Sequence, residues 1–374
     1  MLTWDPRSFL LAGTEMAPPV SSGPDASTSQ YALILLNQPI VQHQRRLFSR
    51  LWRNATLRVC ADGGANRLRK AFHSHSSSSS PSSSSTDSVP LPHVIVGDLD
   101  SLTPSTRSFY SSRGVEISER PSQYATDLQK AIQYVEDWEH EEWEARRSEL
   151  QAQGGQEGKP EGPTSLTLVI FGGLSGRLDQ TVHTLHVLWQ LAPGCDSHGG
   201  YEDPDEVEAV GTGNGNEQGQ RPRGGRPEKR QHSYVVGDGS LVWLLAEGSH
   251  KLVLPVIGPA APETSAPGKR KRSLTAPLLG KACGVLPLGV EGGAQSKGAA
   301  RVSTKGLQWD LSAEDPQSIG GFLSTSNYLL PPREDGEEGV SMVELTTDKP
   351  IYWSVEIAEE EEVEEGDDGE GEGK

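Results

Sequence analysis

Leu57-Arg-Val-Cys-Ala-Asp-Gly-Gly-Ala-Asn66 is the stretch on which the fold turns: four of its first five residues are apolar, and the run then breaks into an acid and two glycines. A short apolar run bounded by a glycine turn is the pattern of a strand buried on both faces of a parallel sheet. Tyr31-Ala-Leu-Ile-Leu-Leu36, Val94-Ile-Val96 and Leu166-Thr-Leu-Val-Ile-Phe171 repeat it. Helical periods lie between these runs. Leu128, Ala131, Ile132, Val135 and Trp138 share one face, with Thr126 or Asp127 placed to cap the start, and Leu178, Val182, Leu185 and Leu188 form a second stripe. Buried strands alternating with amphipathic helices predict an α/β domain, an open and mostly parallel sheet with flanking helices, over residues 30–247.

After Val235-Val-Gly-Asp-Gly-Ser-Leu-Val-Trp-Leu-Leu245, two short strands around a turn, the helical periods stop. Strand-like runs continue to Ile357, so residues 248–357 are expected to form a smaller all-β sandwich or roll. Low-complexity blocks rich in Ser, Gly or Pro, at about 74–90, 151–163, 196–231 and 258–280, read as insertions, which surface loops tolerate because closure entropy grows slowly with length. Residues 1–29 mix Pro, Ser, Gly and Thr and are expected to be disordered, as is the tail 358–374.

That tail holds ten acids and one lysine, half of the net charge of −18, so the charge describes a solvated appendage and not a preference for cationic partners. Hydrophobic residues are 34% of the chain, a low share that the insertions dilute. Cys60, Cys195 and Cys283 are widely spaced, which fits neither a disulfide framework nor a zinc site. No apolar stretch approaches the length of a membrane span, and the first residues carry Asp5 and Glu15 without an extended hydrophobic region. A cytoplasmic protein without membrane or nucleic-acid partners is the expectation.

The acids of the first domain carry its chemistry. In an open α/β sheet the loops after the strands line the ligand crevice. Asp62 follows the run ending at Ala61; Asp98 and Asp100 follow Val94-Ile-Val96 in Gly97-Asp-Leu-Asp-Ser101; Asp127 opens the next helix. Carboxylates gathered in one volume repel unless a cation lies among them, and oxygen-only ligation selects a hard ion such as Mg²⁺, which usually shares phosphate oxygens. Each Asp taken singly is more often a helix or turn cap. Gly63 and Gly64 allow close backbone approach, and Gly172-Gly-Leu-Ser-Gly-Arg177 enters a helix where backbone N–H groups and a guanidinium suit phosphate. The loop has neither the Walker A spacing nor the dinucleotide-binding one.

Ala61-Asp-Gly-Gly-Ala-Asn66, Gly97-Asp-Leu-Asp-Ser-Leu102, residues 123–130 and Gly172-Gly-Leu-Ser-Gly-Arg-Leu-Asp-Gln180 resemble, in order, the signatures of the thiamine pyrophosphokinase family. Cys283-Gly-Val-Leu-Pro-Leu288, Ser303-Thr-Lys-Gly-Leu-Gln-Trp-Asp-Leu311, Ser324-Thr-Ser-Asn327 and residues 343–353 are similar to its second domain, and the insertions resemble those of fungal members. The resemblance implies a transferase that moves the pyrophosphoryl group of ATP to the hydroxyethyl oxygen of thiamine, by in-line attack on the β-phosphorus with AMP leaving. It implies that Asp62, Asp98, Asp100 and Asp127 surround Mg²⁺. Asp98, Asp100, Arg177 and Asp179 would serve catalysis, and Gly63, Asn66, Gln123, Lys130 and Gln180 would lie near ATP. Trp309, Ser324, Ser326 and Asn327 would meet thiamine at the interface of a homodimer. Ser122 stands where many relatives carry an acid. Asn at Asp98 or Asp100 is expected to abolish turnover with folding nearly unchanged.

A pterin pyrophosphokinase would keep the acidic loops but has no use for Trp309 and the Ser324-Thr-Ser-Asn327 element. A non-catalytic thiamine or nucleotide sensor would be expected to lack one of the acids. His183 and His186 sit three apart on a helix, more often a packing arrangement than a metal site. Lys269-Arg-Lys-Arg272 reads as a solvated basic loop, with nuclear import the alternative.

Overall fold

The computed structural model describes residues 1–13, 30–73, 90–152, 165–195, 229–256, 279–289, 298–332 and 339–358, with the side chains of 150–152 excepted. The acidic tail, nearly all of the four insertions, and Lys269-Arg-Lys-Arg272 lie outside them.

Six strands run parallel at the centre: β2 (Tyr31–Leu35), β3 (Leu57–Ala61), β4 (Val94–Gly97), β5 (Glu116–Glu119), β6 (Thr167–Phe171) and β7 (Ser233–Val236), in the spatial order β7-β6-β2-β3-β4-β5. Helices link them: α2 (Arg45–Asn54), α3 (Gly64–His73), α4 (Pro104–Ser111), α5 (Asp127–Ala152) and α6 (Leu178–Leu191). Because side chains alternate along a strand, the sheet buries two distinct sets. Leu33, Leu35, Cys60 and Ile95 pack with Phe48, Leu51 and Trp52 of α2, Leu68 of α3 and Tyr110 of α4. Ala32, Ile34, Val59 and Val94 pack with Leu128, Ala131, Ile132 and Val135 of α5 and Val187, Leu188 and Leu191 of α6.

The stripe of α6 is thus a correction. Its buried positions include Thr184, Val187, Leu188 and Leu191, spaced i, i+3, i+4 and i+7, whereas Leu178 and Val182 are 76% and 56% exposed.

The parallel sheet does not stop at the second domain. From β7 it turns through a hairpin into β8 (Ser240–Leu245) and continues antiparallel through β14 (Ile351–Ile357), β10 (Leu279–Leu286) and β12 (Ser324–Tyr328), ten strands in all. A four-stranded sheet joins it in the same core: β1 (Leu2–Trp4), β9 (Gly248–Pro255), β13 (Val340–Thr347) and β11 (Val302–Lys305), in the order β1-β9-β13-β11. The architecture is that of a mostly parallel α/β sheet with a smaller all-β unit, the two sharing one hydrogen-bonded ladder.

The first thirteen residues correct the expected disorder of 1–29. β1 pairs in parallel with β9, and α1 (Arg7–Leu10) buries Phe9 and Leu10. Trp4 stacks on Trp243 with ring centroids 6.0 Å apart, and its Nε1 donates to His250 Nδ1 at 3.1 Å. Residues 14–29 lie outside the described set.

Arg230 closes the sheet's amino-terminal side. Its guanidinium donates to both oxygens of Glu139, at 2.9 and 2.8 Å, and to Leu166 O at 3.2 Å, while Leu166 N donates to Glu139 Oε1 at 2.7 Å. Both side chains are almost fully buried, so removal of one partner leaves a desolvated charge. Arg230→Ala is expected to cost about 3–5 kcal/mol. Urea denaturation checks this; a loss under about 1 kcal/mol, the size of an exposed pair, would contradict it.

Candidate active site

Successive strands from β2 to β5 advance toward one edge, while β6 and β7 lie on the other side of β2, so strand order reverses between β2 and β6. In such sheets ligands bind beyond the carboxyl ends of the strands at that reversal. The loops after β2, β3, β4 and β6 carry the side chains described next.

Asp62 directly follows β3. Its φ is 39, its N donates to Val96 O at 2.8 Å, and its side chain accepts from Ser101 N at 3.0 Å. Across from it, the β4 loop turns at Leu99 with φ 65, a left-handed conformation that costs a branched residue of order 1–3 kcal/mol and persists where surrounding structure enforces it. Burial of Leu99 and a hydrogen bond from Asp100 N to Asp98 Oδ1 at 3.3 Å provide that enforcement. Oxygens of Asp62, Asp98 and Asp100 consequently all come within 4.8 Å of one another. The loops meet because β4 ends in Gly97, where a Cβ would stand 2.7 Å from Asp62 Cβ and 3.0 Å from Asp127 Oδ1.

Asp127 lies beside this trio, outside the group of three. Thr126, not Asp127, takes the capping role: Gln129 N donates to Thr126 Oγ1 at 3.4 Å and Thr126 N donates to Gln129 Oε1 at 3.0 Å, a reciprocal capping box. Lys130, one turn on, is 2% exposed and reaches Asp98 Oδ2 at 2.9 Å and Asp127 Oδ1 at 3.7 Å. Its hydrogen bond holds the Asp98 carboxyl below the usual carboxylate range. Asp127 is pushed upward, first by burial and then by the Asp98 charge.

Asp62 is 1% exposed, and burial, reinforced by Asp127 and Asp100 against the Ser101 hydrogen bonds, raises its carboxyl to about 6. An acid raised on folding stabilises the fold fully below its unfolded value, near 3.9, and loses that contribution as pH climbs through the folded value. Across roughly two units the metal-free protein loses about 3 kcal/mol that Asp62→Asn does not lose. Urea midpoints in EDTA at pH 5 and pH 8 are therefore expected to favour Asp62→Asn increasingly as pH rises. A variant-to-wild-type difference independent of pH would contradict it.

The donor set fits a hard divalent cation. It is carboxylate oxygen throughout, and Asp62 Oδ1 and Asp127 Oδ1 are buried with no hydrogen-bond donor among the described residues.

Two other expected residues bind the loops together. Asn66 donates to Ser101 O at 2.7 Å and accepts from Thr103 N and Thr103 Oγ1 at 3.2 and 3.0 Å, so both ends of its amide hold the β4 loop. Gly63 brings its backbone against the Asn37 amide. Gln123, on the loop before α5, reaches Asp98 and contributes to lowering it, and Ser122 Oγ accepts from Tyr124 N at 3.3 Å.

The glycine loop 172–177 after β6 has φ of 99 at Gly172, 89 at Gly173 and 84 at Gly176. Gly173 also lies where a Cβ would meet Thr184 Oγ1 of α6 at 2.6 Å. The loop delivers Arg177, Asp179 and Gln180 to the exposed first turn of α6, and Arg177 there forms a two-pronged ion pair with Asp179. Sequence reading missed Gln38, which binds this loop. Only its place in the loop after β2, at the strand-order reversal, marked it. His183 and His186 form no metal group with a third ligand among the described residues; His183 Nε2 meets Thr126 Oγ1 at 2.8 Å.

The remaining expected residues gather elsewhere. Asn327 clamps Trp309 by accepting from its N at 3.2 Å and donating to its O at 2.7 Å, and the Trp309 ring lies 5.6 Å from Tyr328. Ser324 and Asn327 are buried, Ser326 is exposed, and Trp309 is 54% exposed. β12, which carries the two serines and Asn327, is seven strand-to-strand steps from β3. At about 4.8 Å per step, roughly 30 Å of sheet separates the two groups.

Comparison with known proteins agrees with this division. Residues 48–196 match the model "Thiamin pyrophosphokinase, catalytic domain", and residues 271–352 match "Thiamin pyrophosphokinase, vitamin B1 binding domain". The chain is 26% identical over 355 residues to thiamine pyrophosphokinase 1 of Oryza sativa subsp. japonica, covering 94% of this chain and 96% of that one. It is 30% identical over 179 residues to thiamine pyrophosphokinase of Saccharomyces cerevisiae, covering 43% of this chain and 53% of that one. The crystal structure of yeast thiamin pyrophosphokinase superposes with a TM-score of 0.58 at 22% identity, over 96% of this chain and 91% of that one, a likeness of fold. With both family domains matched in order, and the acid cluster lying inside the first, this chain belongs to the thiamin pyrophosphokinase family.

Proposed function

We propose that the chain transfers the pyrophosphoryl group of ATP to the hydroxyethyl oxygen of thiamine, yielding thiamine diphosphate and AMP. The observation that carries this reading is the convergence of Asp62, Asp98 and Asp100 oxygens within 4.8 Å beside buried Lys130, at the strand-order reversal. Asp62, Asp98 and Asp100 would hold Mg²⁺, with Asp127 at the rim. When bound, that ion supplies positive charge to polyphosphate oxygens.

The chain's own groups do the rest. Lys130 and Arg177 offset charge on the transferred group, and positioning with electrostatic stabilisation dominates such reactions. The thiamine oxygen attacks the β-phosphorus, the bond from that phosphorus to the α,β-bridging oxygen breaks, and AMP leaves. Exposed Asp100, whose Oδ1 accepts from Ser101 Oγ at 2.9 Å, or exposed Asp179 would accept the alcohol's proton. Trp309 offers an indole face to the thiazolium cation, with Ser324, Ser326 and Asn327 as polar neighbours.

Roughly 30 Å of sheet between Trp309's clamp and the acids cannot be bridged by thiamine inside one protomer. A homodimer supplies the missing half: exposed Leu178 and Val182 on α6, and exposed Trp309, Ile319 and Phe322 on the β-rich unit, are the surfaces a second copy would cover. The enzyme would act in the cytoplasm, where its three free cysteines stay reduced. Subunit mixing tests the shared site. Asp100→Asn and Trp309→Ala, each inactive alone, are expected to regain about a quarter of wild-type activity when refolded together, from mixed dimers holding one intact site. No recovery, with mixed dimers demonstrated, would place both groups in one protomer's site.

A further inference from the structure

We infer that Gln38 is a positioning residue that holds the 172–177 loop, and with it Arg177, in the shape that receives the nucleotide's phosphates; this rests on the reading proposed above.

Gln38 sits three residues past the end of β2, the strand that lies between β3 and β6 at the reversal of strand order. Its carboxamide is spent wholly on the loop after β6. Oε1 accepts from Gly173 N at 2.9 Å and from Ser175 Oγ at 3.1 Å, and Nε2 donates to Ser175 O. The loop needs such a tie because three of its six residues have positive φ and its tip, from Gly176 onward, is exposed. Asn37 does the corresponding work on the other side: its Oδ1 accepts from Arg67 Nε of α3 at 2.8 Å, and Gly63 packs against its amide. One dipeptide therefore ties the glycine loop to the acid-bearing loop across β2. The carboxamide donates to Ser175 O while accepting from Gly173 N; a carboxylate of the same length loses the donor, and a thioether loses the donor and keeps only a weak acceptor.

The test is a double-mutant cycle between Gln38→Met and Arg177→Ala, read as the Kd of Mg·AMP-PNP by calorimetry and as the KM for ATP. Gln38→Met is expected to raise both about ten-fold, the loss of a little over one net hydrogen bond's contribution, with the KM for thiamine unchanged. Arg177→Ala is expected to cost about ten-fold in the wild-type background and under about two-fold in Gln38→Met, because a loop already released no longer presents the guanidinium. Multiplying penalties would overturn the inference. Should Gln38→Met lack a cooperative thermal transition, Gln38→Glu, which keeps the accepted hydrogen bonds and the length and loses the donation to Ser175 O, carries the same cycle with smaller single-variant penalties that again do not multiply. Wild-type protein that binds Mg·AMP-PNP without converting thiamine would sink the proposed transfer and leave the cycle readable. Unchanged nucleotide affinity in the Gln38 variants would sink the positioning role and leave the transfer standing.

Discussion

Asp100→Asn is expected to lower kcat about 10³-fold, on the order of 4 kcal/mol of transition-state stabilisation, while leaving unfolding stability within about 0.5 kcal/mol of wild type. Asp100 is exposed, its carboxylate is hydrogen-bonded among the described residues by the loop's own Ser101, and its neutralisation relieves repulsion on Asp62 and Asp127. Asp98→Asn behaves differently. It is expected to lose activity to a similar extent and also about 1–3 kcal/mol of stability, because Lys130 is buried and its 2.9 Å partner would become neutral. The sequence alone makes these two acids equivalent, and the buried ammonium separates them. Steady-state kinetics paired with urea unfolding read both quantities. Equal stability of the two variants would mean that Lys130 does not depend on Asp98.

Gly97→Ala is expected to lower kcat about 10²-fold, within about ten-fold of the loss of a ligand, although it adds one methyl group outside the cluster. The new Cβ would lie 2.7 Å from Asp62 Cβ, 3.0 Å from Asp127 Oδ1 and 3.4 Å from Asp62 Cα. The first and last of these belong to atoms that cannot swing aside, so β3 and β4 must part or the Asp62 turn must rotate. A displacement near 1 Å in a positioned site costs about 10²-fold in rate, and overpacking of a tight contact costs about 1–3 kcal/mol. The half-saturating Mg²⁺ concentration should rise together with the fall in kcat, because Asp62 is the residue displaced. A variant with normal Mg²⁺ dependence would show that β4 absorbs the methyl without moving the acids.

The strands were legible because burial on both faces leaves an uninterrupted apolar run, and the acids were legible because they directly follow those runs. What escaped sequence reading depends on contacts far along the chain. Leu2–Trp4 has no period of its own; it becomes a strand only by pairing with β9, and Trp4 is buried only because Trp243 and His250 await it. The α6 stripe was misphased because Leu178 and Val182 are as apolar as the residues that pack, and only the position of the sheet selects Thr184, Val187, Leu188 and Leu191. β5 reads Glu-Ile-Ser-Glu, an edge strand with charges that guard it, and gives little apolar signal. Gln38 lies over 130 residues from the loop it holds, so its amide carries no local pattern. The acid cluster is different in kind: its members are local to their strands, and parallel strands bring such loops to one edge whatever the connections contain.

Purified protein supplied with thiamine, Mg²⁺ and ATP labelled with ³²P at either the α or the γ position tests the central claim most directly. Transfer from a nucleotide held over the Asp62, Asp98 and Asp100 cluster is expected to leave all α label in AMP and to place γ label in thiamine diphosphate, with both products formed about 10³-fold more slowly by Asp100→Asn and not formed in EDTA. Formation of ADP and thiamine monophosphate, or thiamine-dependent AMP release at a near wild-type rate in Asp100→Asn, would contradict the account.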